Sequence, residues 1–308
     1  MISPEDILSI PFAEWVDSFV KDWVAPNFRP FFQALKVPVQ ATLNGLNDFL
    51  DFIPILVFTA GLTAIAWIAA GVGVAVFTFV SLTFIDMIGL WSETMTTFAM
   101  VVTAVLFCVV VGIPVGILAS RSDRFLRILR PILDIMQTIP SFVYLVPIVM
   151  LFGIGTVPGV IATIIFALPP VVRLTNLGIR NVREDLVEAA NAFGATEWQT
   201  LWEVQLPLAT RTIMAGINQT LMLALSMVVI AALIGAGGLG LTVNTGLGQL
   251  NVGTATAGGV GIVLIAIILD RITQALGEGH SARTNSFGKT LTSIFRLRGQ
   301  KESTERAG

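Results

Sequence analysis

The sequence is short of charge. Only 12% of its 308 residues are Asp, Glu, Lys or Arg, whereas 55% are hydrophobic and mean hydropathy is +0.84. A soluble domain carries about 25% charged residues, so there is too little polar surface here to cover a water-soluble globule. Histidine and cysteine are nearly absent, with one each, His280 and Cys108. A zinc site of the usual kind needs several such ligands. A lone cysteine closes no intrachain disulfide, and Cys108, set in the apolar run LFCVVVG, reads as a small buried side chain. There is no excess of basic residues: the net charge is -2, which offers nothing to a nucleic-acid backbone. The N-terminus, MISPEDILSIPFAEW, is acidic and lacks a basic stretch followed by an apolar core, so a cleavable signal peptide is not expected.

What the sequence does contain is long uncharged runs. A membrane span needs about 20 mostly apolar residues. No charge occurs between Ile53 and Ile85, and none between Thr212 and Leu269. The first stretch, taken on to Leu90, fits two spans joined by a tight turn near Gly71-Val72-Gly73. Further spans fit at about 98–119, 132–152, 157–174, 213–234 and 254–270, with a Gly-rich link between the last two. The expected fold is an all-α, polytopic transmembrane helical bundle of about seven spans. Residues 1–52 form an amphipathic extracytoplasmic or interfacial segment, 53–276 the transmembrane domain, and 277–308 a polar basic tail.

Basic residues set the orientation. With seven spans, Arg121, Arg124, Arg127, Arg130, Arg173, Arg180, Arg183, Arg211, Arg271 and the six bases of the tail share one side, 15 of the 18 Lys and Arg. The positive-inside rule makes that side the cytoplasm. The N-terminal segment then lies outside. Phe12, Trp15, Val16, Phe19, Val20 and Trp23 recur there at helical spacing opposite Glu14, Asp17, Lys21 and Asp22, and a weaker stripe of Leu43, Leu46 and Leu50 follows. Such a helix suits the membrane interface and equally suits a small extramembrane cap.

Prolines 114, 140, 147, 169 and 170 fall within the apolar runs, where they either kink helices for packing or break them along a lined path. Gly112-x-x-x-Gly116 allows close helix approach. Asp86 and Glu93 fit solvated acids near the outer surface, and Asp134 stands one turn after Arg130, its expected partner. Gly235-x-Gly237-x-x-Gly240 matches a dinucleotide fingerprint but follows an apolar span rather than a strand, so a tight turn is expected. Gly288-Lys289-Thr290 echoes a phosphate loop whose first glycine position is Arg283. No nucleotide site is expected on this chain.

The cytoplasmic segment REDLVEAANAFGATEWQTLWEVQLPLATR is the most informative. A helix from about Glu184 to Phe193 ends at Gly194, placed as a C-terminal cap. Thr196 and Gln199 form a capping box that opens a second helix, expected to stop near Gln205 before Pro207. Leu186, Ala189, Ala190 and Phe193 share one face of the first helix. Trp198, Leu201, Trp202 and Gln205 share one face of the second. An aromatic face on a short cytoplasmic hairpin fits a protein groove or packing on its own bundle. A DNA-binding reading is opposed by Glu184, Asp185, Glu188, Glu197 and Glu203, with no Lys or Arg between Arg183 and Arg211.

The spacing Glu188-Ala189-Ala190, Gly194, Val204-x-Leu206-Pro207 resembles the EAA-x3-G-x9-I-x-L-P signature of the membrane subunits of binding-protein-dependent ATP-binding-cassette importers, with Val in place of Ile. The resemblance implies a coupling hairpin, 184–207, seated in a cytoplasmic ATPase, with Glu188, Ala189, Ala190, Gly194, Trp198, Trp202, Leu206 and Pro207 as the coupling residues. It implies two ATPase subunits that bind the Mg-ATP, a separate extracytoplasmic binding protein, a second permease copy forming a homodimer, and a place in the bacterial cytoplasmic membrane. More narrowly, RPILDIMQTIPSFVYLVPIVMLFGIGTVPGVIATIIFALPPVVRLTNLGIRNV, INQTLMLALSMVVIAALIGAGGLG and LDRITQ resemble the permeases of osmoprotectant importers. These carry glycine betaine, proline betaine, choline or proline. With Tyr144 the one tyrosine, and Trp15, Trp23, Trp198 and Trp202 outside or near the boundaries, no aromatic cage for a quaternary ammonium is evident within the spans. A permease for another small solute such as an amino acid, an ion-coupled secondary carrier and a membrane scaffold for a cytoplasmic enzyme are the competing readings. The secondary carrier is opposed by the chargeless spans.

Overall fold

A computed structural model describes residues 11–278, which are helical without strands. The basic tail, His280 and the Gly288-Lys289-Thr290 echo lie outside the described residues. The helices are α1 (Phe12–Ser18), α2 (Ala25–Phe52), α3 (Ile55–Ala70), α4 (Val72–Met87), α5 (Trp91–Arg121), α6 (Asp123–Thr138), α7 (Leu145–Phe152), α8 (Thr156–Arg180), α9 (Glu184–Ala192), α10 (Glu197–Gln199), α11 (Leu206–Ala231), α12 (Leu239–Gly248) and α13 (Val252–Glu278).

Four helical stretches are long and apolar enough to cross a membrane: α5, α8, Glu197–Ile234 (which contains α11) and α13. They correspond to four of the seven expected spans. The expected span at 132–152 is broken. α6 and the following helical stretch Ser141–Phe152 meet at 106°, at Ile139-Pro140. Pro140 lacks the N–H that would continue the ladder and forces Ile139 into an extended conformation (ψ 128). By contrast Pro114, Pro169 and Pro170 lie inside unbroken helices. The first expected pair is also shorter than a full crossing. α3 and α4 have 16 residues each, turn at Gly71, and reach roughly 24 Å apiece. α3 forms a second bent pair with Pro30–Phe52, at 108°. Counting each bent pair as one span gives up to six, with α4 a shorter apolar helix beside them.

α8 is the centre of the bundle. Its buried face, from Pro158 to Ile179, packs between α5 and α11. The close approach depends on missing side chains. A Cβ at Gly112 would run into the Val171 side chain, and one at Gly116 would lie 2.6 Å from Thr175 Cβ. The GxxxG reading is therefore realised as α5–α8 contact, dominated by van der Waals packing. Cys108 is fully buried beside it and donates to the Ile164 carbonyl at 3.5 Å.

The N-terminal stretch divides in two. Val39, Leu43 and Leu50 of α2 are buried in the main core, with Leu46 packed beside them. Phe32 meets Phe152 edge-on at 5.4 Å. Trp15, Val16, Phe19 and Trp23 remain exposed, and Phe19 stacks on Trp23 at 5.3 Å. Asp134 pairs with Arg173 at 2.5 Å rather than with Arg130, because α6 folds against α8. Asp86 is exposed, whereas Glu93 is half-buried, with Oε2 closed off from solvent and without a hydrogen-bond partner. Glu93 is thus not the solvated acid expected.

The Gly-rich link is a tight turn between α11 and α12, with no strand before it. Leu239 N–H donates to Thr97 Oγ1 at 2.8 Å, and Gly237 N–H to Thr156 Oγ1 at 3.3 Å. These bonds tie the link to the starts of α5 and α8.

Candidate functional site: the cytoplasmic hairpin

α9 starts with Glu184 and Asp185 in its first turn, where carboxylates oppose the positive end of the helix dipole. It ends in a complete Schellman motif. Gly194 N–H donates to the Asn191 carbonyl at 2.9 Å, Ala195 N–H to the Ala190 carbonyl at 3.0 Å, and Gly194 has φ +83°. The capping box follows at once. Thr196 N–H donates to Gln199 Oε1 at 2.8 Å, and Gln199 N–H to Thr196 Oγ1 at 3.4 Å. One residue, Ala195, thus separates the glycine of the first cap from the threonine of the second.

The second helix does not stop before Pro207. α10 runs into a π-wound turn, Thr200–Gln205, and on into α11. Pro207 is accommodated because it lies in the first turn of α11, and the wider π winding takes up the misfit. The π turn also divides the expected face. Leu201 is 1% exposed and packs inward with Ile179, Ala209 and Ile213, while Trp198 (68% exposed) and Trp202 (60%) point outward. Leu206 joins the inward cluster. On α9, Leu186, Ala189 and Phe193 are exposed, Phe193 at 92%, and Ala190 is half-buried. Leu186, Phe193, Trp198 and Trp202 make the hairpin an apolar knob with an aromatic crown.

Polar bonds anchor the knob. Arg121, at the end of α5, donates to Glu197 Oε2 at 3.0 Å and to the Glu197 carbonyl at 2.8 Å. Arg180 pairs with Asp123 at 2.7 Å and donates to the Ala119 carbonyl at 3.0 Å. Arg183 pairs with Asp185 at 2.6 Å. Thr200 Oγ1 meets Asn191 Oδ1 at 3.3 Å across the hairpin. Glu188 is exposed and lines a groove of about 480 Å³ with Arg121, Arg180, Glu184, Asn191 and Glu197. Of the residues named from sequence, Glu188 therefore faces the base of the knob and Leu206 its root. Ala189, Trp198 and Trp202 stand on its surface, and Gly194 sets its turn. Pro207 is exposed where the knob enters α11. The Arg121–Glu197 link joins positions 76 residues apart and had no local signal in the sequence.

Residues 112–280 match the family described as "Binding-protein-dependent transport system inner membrane component". The glycine betaine/proline betaine transport system permease protein ProW of Escherichia coli (strain K12) is 58% identical over 276 residues, 90% of this chain and 78% of that protein. The glycine betaine transport system permease protein OpuAB of Bacillus subtilis (strain 168) is 48% identical over 277 residues, 90% of this chain and 98% of that protein. An inward-facing structure of the MetNI methionine ABC transporter shares the fold. It has a TM-score of 0.53 and 25% identity, covering 63% of this chain and 94% of that one. The helical bundle, the cytoplasmic knob and these relatives together place the chain in the family of inner-membrane permease components of binding-protein-dependent ABC transport systems.

Proposed function

We propose that this permease carries a betaine-type compatible solute, with glycine betaine and proline betaine the first candidates, into the cell. The names of the relatives from Escherichia coli and Bacillus subtilis support that substrate class. Choline, proline and a common amino acid are the other solutes to compare. Two copies of the chain pair as a homodimer, and each presents its α9–α10 knob to one of two ATPase subunits that bind the Mg-ATP. A separate extracytoplasmic binding protein delivers the solute. The N-terminus lies outside and the C-terminus in the cytoplasm, a reading supported by the 15 basic residues on one side. The chain itself performs no catalysis.

The observation that carries the coupling role is the exposed crown: Phe193 closes α9, and Trp198 and Trp202 stand on a helix that continues into α11. Large aromatic side chains left in water at a rigid site fit a protein partner, since such anchors dominate interface energetics. Co-purification of the tagged permease with its ATPase tests docking, and uptake of labelled betaine into proteoliposomes tests transport. Glu188→Lys is expected to abolish uptake while substrate capture by the binding protein persists. Normal uptake in this variant would overturn the coupling role of the hairpin.

A further inference from the structure

A helix face that meets lipid should be apolar, because the hydrocarbon offers no partner to a polar group. The outward faces of α3 and α4 obey this, with Leu56, Ile65 and Trp67 on one and Val76, Phe79 and Val80 on the other. α11 does not. Between Thr212 and Ala231 its exposed residues are Ala215, Gln219 and Ser226, spaced on one face, with no large apolar side chain among them. The Ser226 hydroxyl donates to the Met222 carbonyl at 3.1 Å and is satisfied anywhere. The Gln219 amide makes no hydrogen bond within the described residues, so it needs water or another polar partner.

A second feature stands beside this face. The α6–α7 break exposes Gln137, Thr138 and Pro140, and its 3-10 turn, Ser141–Tyr144, packs against α11. Its depth follows from α8. Asp134 pairs with Arg173, and Tyr144 meets Phe166 at 6.1 Å. The break therefore lies beside the stretch of α8 between those residues, where Gly216 of α11 packs on Pro170, Val171 and Leu174. Non-helical backbone at membrane depth is tolerated where protein buries it or where it lines water.

A third feature borders the same α11 face at Ala215 and Gln219. A cavity of about 790 Å³ opens between α11 and α13, lined among others by Arg211, Asn218, Gln219, Met222 and Gln274. Two of its three amides are held from behind by Asp270, which accepts from Asn218 at 3.0 Å and from Gln274 at 2.7 Å. Asp270 itself does not line the cavity. The wall is thus hydrogen-bonding but free of carboxylates, and its one formal charge is Arg211, which makes no ion pair among the described residues.

Resting on the transport reading above, we propose that the Ala215–Gln219–Ser226 face of α11, together with the Gln137–Ser141 break, walls the solute path. Its chemistry suits a small zwitterion without net charge, whose carboxylate is drawn to Arg211 at the inner mouth. Cations without an anionic group are disfavoured there.

Cysteine accessibility tests this in the assembled transporter, with Cys108→Ala as background. Gln219→Cys and Ser226→Cys should react with water-soluble thiosulfonate reagents, while Val80→Cys on the lipid face of α4 stays unreactive. From the cytoplasmic side the anionic sulfonate reagent should outpace the cationic trimethylammonium one at Gln219→Cys, and Arg211→Gln should remove that preference. Ser226→Leu should lower uptake by about tenfold or more with assembly unchanged. The proposal is overturned if both cysteines are as inert as Val80→Cys in every nucleotide state, or if they cross-link two copies while remaining closed to reagent. Labelling requires no transport, so loss of coupling at the hairpin would be read separately, in uptake and ATPase attachment.

Discussion

Gly194 isolates the conformational contribution of the hairpin from its surface chemistry. Its φ is +83°, and a Cβ built there meets nothing within 4 Å. A substitution therefore acts through the backbone alone and leaves packing untouched. An ordinary L-residue held in the left-handed region costs about 1–2 kcal/mol, and Asn or Asp less. If the turn must be intact when the ATPase docks, Gly194→Ala should weaken attachment by roughly 5–30-fold, the same free energy expressed as affinity. Gly194→Asn should weaken it less than Gly194→Ala. Gly194→Asp has nearly the shape of Gly194→Asn but adds a negative charge to a hairpin that already carries Glu184, Asp185, Glu188, Glu197 and Glu203. The difference between these two variants measures electrostatics at the docking surface, and Gly194→Asp is expected to lose uptake altogether. The assay is titration of purified permease with ATPase subunit, followed by uptake in proteoliposomes. Equal affinity for the wild type, Gly194→Ala and Gly194→Asn would show that the left-handed turn is immaterial to docking.

Trp198→Ala and Trp202→Ala should each weaken ATPase attachment by about 5–30-fold, as expected for aromatic anchors, with the melting temperature of the isolated permease little changed. Gly112→Leu should lower that temperature and the yield, because the new side chain collides with Val171 and overpacking costs about 1–3 kcal/mol. Gly61→Leu, where a Cβ meets nothing within 4 Å, serves as the neutral control. Thr97→Val leaves the Leu239 N–H buried without its acceptor, which should cost about 1–3 kcal/mol. Differential scanning fluorimetry in detergent reads all of these stability effects.

Local signals in the sequence were reliable where the physics is local. Gly194 and the Thr196–Gln199 box fixed the hairpin, because caps involve residues within five positions of one another. The long spans α5, α8 and α13 followed from apolar length alone. The break at Pro140 was not distinguishable from the prolines at 114, 169 and 170, since the run 132–152 carries a single charge, Asp134, and none at the break itself. What separates them is the tertiary setting: α8 lies packed between α5 and α11, whereas the residues around Pro140 are exposed. The partner of Asp134 was likewise set by helix packing, which placed Arg173, 39 residues away, closer than Arg130. Leu201 turned inward because a π turn shifted the helical phase, and nothing in the sequence announces a π turn. The α11 face was readable only after burial was known, since Gln219 and Ser226 look unremarkable within a hydrophobic stretch.

The helix that begins at Glu197 and ends at Ile234 is 38 residues long. Between the π turn at Thr200–Gln205 and the closing 3-10 turn at Ala232–Ile234 it is unbroken α-helix. A push on the crown is therefore transmitted as by a stiff pole rather than absorbed in a hinge. From Thr200 to Ser226 the pole is about 39 Å long, so tilting it by about 5° about its cytoplasmic end sweeps Ser226 sideways by roughly 3.4 Å. That displacement exceeds the radius of a water molecule, enough for one rigid element to widen or pinch a narrow passage without any helix unwinding.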